Sequence, residues 1–400
     1  MASSVLYIIN GRVVTPIRLI GCGGVRIEDG VITHVFSGNG PMDDLGESDA
    51  QVIDARGRYI SPGFVDIHLH GGGGADLMDG MVESLVTMCR IHASGGSTAI
   101  VPSTLTSSDS DLIRALEAFR AAVGAKPIGS RLLGVHLEGP YFSQEQRGAQ
   151  DPRYIRNPSR DHYMGILERY PEVIRVSAAP ELEGALDLGR ELRSRSVLAS
   201  VGHTDASFEQ VVEAVEAGYS HVTHLYSGMA GVRRVRARRV AGAIEAGLAL
   251  DELTVEVIAD GVHLPASLLK LIVKCKGPDR TALITDAIRA AGMTEGEYIM
   301  GSADDGQKII VDEGVAWLPD RSAFAGSVSL TNRLVRTMVE LADVSVTDAV
   351  KMASLTPARI MGAQDTLGSL DVGKRGDVVV FDNGFNVSIT IVGGETVFRA

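Results

Sequence analysis

The chain has 400 residues, of which 45% are hydrophobic and 22% charged, and it contains 46 glycines. This composition excludes intrinsic disorder and a long coiled coil, and the length suits one large α/β barrel with a small second domain. The formal net charge of -12 has the wrong overall sign for a protein that tracks nucleic acid or an anionic membrane, so we expect neither partner. An anionic substrate would need a local positive site.

The cysteines and the N-terminus bear on where the protein works. Cys22, Cys89 and Cys275 are scattered and odd in number, which argues against a disulfide framework and predicts a reducing, cytoplasmic location. Residues 19–22 imitate a lipoprotein cleavage site, but no continuous apolar core precedes them, as secretion requires. No run approaches the roughly 18 apolar residues of a membrane span. We expect neither export nor membrane insertion.

Both ends of the chain show strand patterns. Residues 5–9, 25–27 and 31–36 are β-rich and bounded by Gly, Asp and Asn, and residues 377–381 and 389–392 look alike. Helical periodicity is missing from the first 60 residues. We predict that residues 1–60 and 360–400 together build a small β-sandwich domain.

The intervening residues 61–359 change to apolar β-branched runs that alternate with amphipathic stretches, the pattern of βα units around a parallel sheet. Eight strands are predicted, at 63–69, 98–103, 132–137, 173–178, 197–201, 221–225, 255–259 and 282–285. Helices are predicted at 81–94, 110–123, 207–217, 265–274 and 331–341, with a hairpin insertion at 292–330. This count predicts a TIM-like (β/α)8 barrel, in which chemistry sits at the carboxyl ends of the strands.

Imidazoles and carboxylates stand where these strands end. His68 and His70 close the first strand, and the period of two puts both on one face, toward the barrel mouth. The full set is His68, His70, Glu138, His203, His224 and Asp286. Each residue alone has a plain interpretation as a helix cap or packed polar group, but together at one rim they are the ligand set of a hydrolytic zinc, iron or manganese centre.

One residue type is missing from the predicted site. Many binuclear barrels bridge two metals with a carbamylated lysine, yet no lysine lies between residues 127 and 269. Glu138 would have to take that place. The hydantoinase and dihydroorotase type of cyclic-amide hydrolase is therefore disfavoured.

Several short segments carry a family resemblance. They are PGFVDIHLHGGGG at 62–74, HLEGP at 136–140, GHTDA at 202–206, THL at 223–225, DGVH at 260–263, TDA at 285–287 and AGS at 325–327. As a set they resemble the N-acetylglucosamine-6-phosphate deacetylases of the amidohydrolase superfamily. The resemblance implies a metal-dependent enzyme that hydrolyses the N-acetyl amide of N-acetylglucosamine 6-phosphate to glucosamine 6-phosphate and acetate, in amino sugar catabolism or recycling.

The resemblance also implies roles for the strand-end residues. The implied metal ligands are Glu138, His203 and His224 at the principal position and His68 and His70 at a second one. One or two divalent ions per subunit are expected, Zn2+ first, with Fe2+, Mn2+ or Co2+ as alternatives. Asp286 would be the catalytic acid/base, and His263 would help to hold the substrate and stabilise the developing oxyanion. The other implied substrate contacts are Ala149, Gln150, Asp260, Phe324, Ala325 and Gly326.

The chain departs from the family pattern where the sugar phosphate would bind. Ser227-Gly228 replaces the usual Asn-Ala, and residues 233–239 hold five arginines in seven positions, of which Arg236 is the nearest match to a phosphate-binding arginine. Forked guanidinium donors suit a phosphate, although such a charge run is also typical of a solvated or interface face. The resemblance implies a homodimer in which an arginine crosses to the neighbouring site.

Other functions stay open at this point. The change at Ser227 is compatible with a related substrate such as N-acetylgalactosamine 6-phosphate, or with an N-acyl amino acid. A catalytically dead barrel that binds sugar phosphates as a regulator would be a different class of protein, but it would be expected to lack metal ligands that this chain retains. The sequence leaves undecided the native metal, the number of ions, the sugar epimer and the oligomeric state.

Overall fold

The computed structural model describes residues 4–38, 50–123 and 129–400. In chain order, the strands are β1 (Val5–Val14), β2 (Leu19–Glu28), β3 (Val31–Ser37), β4 (Gln51–Asp54), β5 (Tyr59–Pro62), β6 (Phe64–Leu69), β7 (Gly71–Gly72), β8 (Ala75–Asp76), β9 (Ser97–Pro102), β10 (Arg131–Leu132), β11 (Val135–Glu138), β12 (Val173–Ala178), β13 (Leu198–Val201), β14 (Tyr219–Val222), β15 (Arg233–Val235), β16 (Arg238–Val240), β17 (Thr254–Ile258), β18 (Thr281–Ile284), β19 (Gly296–Met300), β20 (Gln307–Asp312), β21 (Val315–Trp317), β22 (Phe324–Ser327), β23 (Val378–Phe381), β24 (Val387–Val392) and β25 (Glu395–Arg399). The helices are α1 (Val82–Ser94), α2 (Asp109–Val123), α3 (Arg160–Arg169), α4 (Ala185–Ser194), α5 (Phe208–Ala217), α6 (Ala243–Ala249), α7 (Ala266–Lys276), α8 (Thr331–Ala342), α9 (Val346–Ala353) and α10 (Leu355–Ile360).

Strands from both ends of the chain share one sheet, in the order β25-β24-β23-β5-β1-β2-β3, with β4 paired to β1. The two ends join where β23 pairs antiparallel with β5, so that Val380 lies opposite Ile60. The sheet has an apolar cluster of its own, which includes Ile8, Val25 and Ile391. The prediction that both termini contribute to one β unit agrees with this sheet.

Eight parallel strands form the barrel, in the order β6, β9, β11, β12, β13, β14, β17 and β18. Two parallel bridges close the ring, Ser103 to His136 between the second and third strands and Leu69 to Ala287 between the last and the first. The sequence-based strand positions differ from the observed ones mainly by one to three residues at their ends. The TIM-like α/β barrel is thereby confirmed.

Local sequence fixes the helix boundaries. Helix α5 begins after Ser207, whose hydroxyl accepts from the backbone N–H of Gln210 while the Gln210 side chain accepts from the Ser207 backbone. This capping box satisfies two helix-terminal N–H groups. The helix ends at Gly218, which takes φ of 118°, a backbone angle that favours glycine. None of the described helices is both long and apolar enough to cross a membrane.

Two expectations need correction. The strand predicted at 132–137 is interrupted between β10 and β11, because β10 pairs with β9 whereas β11 pairs with β12. The insertion at 292–330 is not a single hairpin but a four-stranded antiparallel sheet, β19 to β22. A tight turn at Glu313 and Gly314, with φ of 55° and 74°, adds the further strand pairing.

Candidate metal centre

The six predicted strand-end residues meet at the carboxyl end of the barrel. His68 lies within β6, His70 follows it, and Glu138 is the last residue of β11. The other three follow their strands by two residues, after β13, β14 and β18. All six side chains are buried, and the most exposed residues of the set are Asp286 at 8% and His203 at 7%.

The backbone at three of these positions is left-handed. His203, His224 and Asp286 have φ of 48°, 26° and 47°. Non-glycine residues rarely adopt such angles, and each costs free energy that the surrounding structure must supply. The shared offset from the strand end therefore turns each side chain back over the barrel mouth at a local conformational cost.

Four imidazole nitrogens surround the carboxylate of Glu138. The Nε2 atoms of His224, His68 and His203 lie 3.0, 3.2 and 3.4 Å from Oε1, and Nε2 of His70 lies 3.3 Å from Oε2. Asp286 Oδ1 lies 3.2 Å from His70 Nε2 and 3.6 Å from His68 Nε2. Two groups of ligand atoms have the spacing of a metal site, His68 with Glu138 and His224, and His68 with His70 and Asp286.

Positive charge between the buried carboxylates of Glu138 and Asp286 would stabilise the cluster. Burial alone would raise the pKa of Glu138 and Asp286, but the imidazoles outweigh it, so that both pKa values are lowered, that of Glu138 strongly. Burial alone would lower the pKa of His68, whereas Glu138, Glu256 and Asp286 raise it to about 9. Nε2 of His68 has no hydrogen-bond partner in the described part of the chain. These features fit a divalent cation, because a cation would neutralise the buried carboxylates and would bond to Nε2 of His68.

Partners behind the ligands hold them in place. Nδ1 of His70 lies 3.1 Å from the Ser103 carbonyl, and Nδ1 of His203 lies 2.9 Å from the Gln146 carbonyl. Nδ1 of His68 lies 2.7 Å from Oε1 of Glu256. None of these three partners was predicted from the sequence. Glu256 alone has a sequence signal, since its carboxylate stands between two valines of the buried strand β17.

A cavity of about 330 Å³ opens over the cluster and receives most of the predicted substrate contacts. Its lining includes Ala149, Gln150, Ser227, Gly228, His263, Phe324, Ala325 and Gly326, beside His70, Glu138, His203, His224 and Asp286. The Gln150 amide is already engaged, because Nε2 donates to Glu138 Oε2 at 2.7 Å and Oε1 accepts from the Thr106 backbone at 2.8 Å. It supports Glu138 as well as lining the cavity.

Two predicted substrate contacts lie elsewhere. Asp260 is buried outside the cavity lining, where Oδ2 lies 2.7 Å from His263 Nδ1 and Oδ1 accepts from the His263 backbone at 2.9 Å. Arg236 lies in the turn between β15 and β16, an exposed hairpin that does not line the cavity of its own chain. Five arginines in seven residues keep this hairpin in solvent, since a guanidinium is costly to bury without a partner.

The cavity lining contains no lysine or arginine among the described residues.

Residues 59–397 of the chain match the Amidohydrolase family. The chain belongs to the amidohydrolase family. Amidohydrolases are metal-dependent hydrolases, and the two groups of ligand atoms in this chain accord with that property.

Curated amidohydrolases match this chain over nearly its full length. The N-acetylglucosamine-6-phosphate deacetylase of Bacillus subtilis is 35% identical over 100% of this chain and 98% of the relative. The N-acetylgalactosamine-6-phosphate deacetylase of Escherichia coli O157:H7 is 34% identical over 93% of each chain.

Solved amidohydrolase structures share the fold. A mutant of the N-acetyl-D-glucosamine-6-phosphate deacetylase from Mycobacterium smegmatis, in complex with N-acetyl-D-glucosamine-6-phosphate, has a TM-score of 0.89 at 31% identity and covers 100% of both chains. The N-acetylglucosamine-6-phosphate deacetylase from Pasteurella multocida has a TM-score of 0.91 at 26% identity, over 99% of this chain and 100% of its own.

Proposed function

We propose that this amidohydrolase removes the N-acetyl group of N-acetylglucosamine 6-phosphate, giving glucosamine 6-phosphate and acetate. The observation that carries the proposal is the convergence of four imidazoles on Glu138 beside one cavity, with Asp286 facing two of those imidazoles. Relatives of that name, similar over almost the whole chain, supply the substrate class.

The residues proposed to hold the metal are Glu138, His203, His224, His68 and His70. Imidazole and carboxylate ligands favour Zn2+, with Fe2+, Mn2+ or Co2+ as alternatives. Because His68 belongs to both groups of ligand atoms, we propose room for one or two ions per subunit. When bound, the metal supplies a Lewis acid for the amide carbonyl and lowers the pKa of water toward neutrality.

Asp286 is proposed to move the proton. His68 and His70 keep the pKa of its carboxyl group low, so the side chain is ionised at neutral pH and free to accept a proton from the attacking water. As the C–N bond breaks, Asp286 returns this proton to the amine nitrogen. Water and amide are thereby converted to acetate and amine with no net proton change at the enzyme.

His263 is proposed to steady the carbonyl oxygen as it gains negative charge. The contact with Asp260 engages Nδ1 and leaves Nε2 available to the substrate. The ring also packs against Phe324, with centroids 4.7 Å apart, which restricts its rotation. A preorganised donor in a buried site stabilises developing charge without reorganisation during the reaction.

The phosphate group is proposed to bind the arginine hairpin of a second subunit. The cavity lining offers no cationic lysine or arginine among the described residues, while Arg234, Arg236, Arg238 and Arg239 are exposed on the hairpin. A homodimer in which the hairpin crosses to the neighbouring cavity would supply the forked donors that phosphate favours. Arg236 stays our nearest match for the contact.

A second substrate is N-acetylgalactosamine 6-phosphate. The relative from Escherichia coli O157:H7 that carries this name is 34% identical, within the range of 30% to 35% of the glucosamine relatives. Ser227 replaces the Asn that the resembled family usually has and lies in the cavity lining. The two sugars differ only in the configuration of one hydroxyl, which a single polar lining residue is able to distinguish.

Acetate release from four sugars tests the proposal: N-acetylglucosamine and N-acetylgalactosamine, each with and without the 6-phosphate. We expect N-acetylglucosamine 6-phosphate to give the highest kcat/KM, at least a hundredfold above the unphosphorylated sugar, because a lost charged contact costs about 3 kcal/mol. Equal rates with and without phosphate would overturn phosphate recognition. A higher kcat/KM for the galactosamine phosphate would establish the second candidate.

We also propose the domain division and setting. Residues 61–359 would form the catalytic barrel, and residues 1–60 with 360–400 the small β-sandwich domain, supported by the separate apolar cluster beneath the terminal sheet. The three free cysteines favour a cytoplasmic location.

A further inference from the structure

A buried ion pair lies beneath the candidate metal centre. Arg175 on β12 and Glu256 on β17 are both fully buried, and they form two short contacts, Nη1 to Oε2 at 2.7 Å and Nη2 to Oε1 at 2.8 Å. The interior of a TIM barrel is usually filled by branched apolar side chains. Since well-packed apolar residues often stabilise a core as well as a buried ion pair does, stability alone gives little reason for this pair.

Glu256 reaches two of the candidate metal ligands. Its Oε1 lies 2.7 Å from Nδ1 of His68 and accepts from the backbone N–H of His224 at 3.2 Å. Its Oε2 lies 3.1 Å from Nε2 of His221, a buried residue whose Nδ1 lies 2.7 Å from Thr254 Oγ1. One carboxylate thus touches the ring of one ligand and the backbone of another.

We propose that Glu256 is a positioning residue that holds His68 with its proton on Nδ1 and its Nε2 free to bind metal. This inference rests on the proposed metal centre and deepens it. A carboxylate that accepts from Nδ1 fixes both the tautomer and the ring orientation of a metal-binding histidine. The unpartnered Nε2 of His68, aimed between Glu138 and Asp286, is the outcome of that arrangement.

Arg175 keeps Glu256 oriented. The guanidinium also donates to the Ile67 carbonyl at 3.0 Å, to Ser200 Oγ at 3.1 Å and to Thr223 Oγ1 at 3.1 Å. Ile67 precedes His68, Ser200 lies on β13, and Thr223 precedes His224. The guanidinium is therefore fixed by three barrel strands or their ends.

A glutamine at position 256 cannot make the same contacts as the glutamate. Nη1 and Nη2 of Arg175 and the backbone N–H of His224 donate hydrogen bonds and cannot accept them. Each oxygen of Glu256 therefore faces at least one donor. In Glu256→Gln, either orientation of the amide puts an NH2 group against a donor. With NH2 toward His68, the ring would be pushed into the opposite tautomer, whose Nε2–H does not bind metal.

The test compares wild type, Glu256→Gln and the matched control His221→Gln, which alters the same buried layer without touching His68 or His224. Zn2+ affinity is measured by competition with a chromophoric chelator, and the Co2+ absorption spectrum reports ligand geometry. We expect Glu256→Gln to bind Zn2+ roughly 10- to 100-fold more weakly, with an altered Co2+ spectrum. His221→Gln should stay within about threefold of wild type, on the premise that Glu256 acts through His68.

Unchanged Zn2+ affinity and an unchanged Co2+ spectrum in folded Glu256→Gln would overturn the inference. If wild type binds no Zn2+, the proposed metal centre itself fails, which is a distinct result. A measurement on wild type keeps the inference testable even if Glu256→Gln does not fold: histidine 15N NMR of the metal-free protein, at a pH where His68 is neutral, should show the His68 proton on Nδ1. A proton on Nε2 of His68 would contradict the proposal.

Discussion

Asp286 Oδ1 lies 3.2 Å from Nε2 of His70 and 3.6 Å from Nε2 of His68, so one carboxylate faces two of the candidate metal ligands. The left-handed backbone at Asp286 turns the side chain toward them from the end of β18. Asp286 and Glu138 are the two acidic residues in the described cavity lining, and the imidazoles enclose Glu138.

Asp286→Asn tests the proton-transfer role. The amide keeps the size of the side chain but accepts no proton at neutral pH, so we expect kcat to fall at least a thousandfold. Zn2+ binding should be largely retained, because Glu138, His203 and His224 are untouched. The readouts are acetate release and metal content per chain. Wild-type kcat in this variant would remove Asp286 from the mechanism.

A pair of histidine variants separates the two groups of ligand atoms. His224 belongs to the group with Glu138, whereas His70 belongs to the group with Asp286. We expect His224→Asn to lower Zn2+ affinity about 100-fold or more, and His70→Asn to retain at least one ion per chain. Metal analysis after dialysis against a chelator gives the stoichiometry. Equal loss in both variants would mean that the two groups form a single site.

Asp260 should act through His263, whose ring it holds. His263→Asn removes the donor proposed for the carbonyl oxygen, and we expect kcat to fall about 100- to 1000-fold with metal content unchanged. Asp260→Asn keeps the ring but weakens its hold on Nδ1, so a smaller loss is expected. If Asp260→Asn is the more damaging of the two, Asp260 has a role other than holding His263.

Arg236→Ala tests the arginine hairpin. The variant should raise KM for the 6-phosphate at least tenfold and leave turnover of the unphosphorylated sugar unchanged, because only the phosphate contact is lost. Arg190→Ala, on the exposed face of α4, is the matched surface control. A KM unaffected by Arg236→Ala would direct attention to Arg234, Arg238 and Arg239.

His92 on α1 should make the fold sensitive to acid. Burial lowers its pKa from 6.5 to about 4, the ring Nε2 donates to the Gly71 carbonyl at 2.9 Å, and Nδ1 has no partner in the described part of the chain. Between pH 6.5 and about 4 the unfolded chain binds the proton more readily than the folded one, so stability falls as pH is lowered through that window. Above pH 6.5 this group contributes no pH dependence.

Urea unfolding at several pH values provides the measurement. The stability difference between wild type and His92→Gln should shift against wild type by roughly 3 kcal/mol from pH 7 to pH 4. His34→Gln, at an exposed position, should follow the wild-type curve. Parallel curves for wild type and His92→Gln would show that His92 is not the source of the acid sensitivity.

The sequence predicted the barrel and the residues at its rim because both depend on local patterns. Apolar runs alternate with helical periodicity, and each candidate ligand lies within two residues of a strand end. The supporting contacts do not depend on local pattern. Arg175 and Glu256 are 81 residues apart and meet only because β12 and β17 line the same barrel. The placement of Arg236 away from its own cavity likewise depends on the hairpin's solvation, which spacing does not encode.

Metal-dependent acetate release is the decisive measurement for the proposed metal centre and its reaction. Metal-free protein is titrated with Zn2+ while acetate release from N-acetylglucosamine 6-phosphate and bound metal are measured on the same samples. We predict no turnover without metal, activity that rises in proportion to bound Zn2+, and metal binding without turnover in Asp286→Asn. Acetate release by the metal-free protein, or Zn2+ binding by wild type without any turnover of an N-acetylated sugar phosphate, would contradict it.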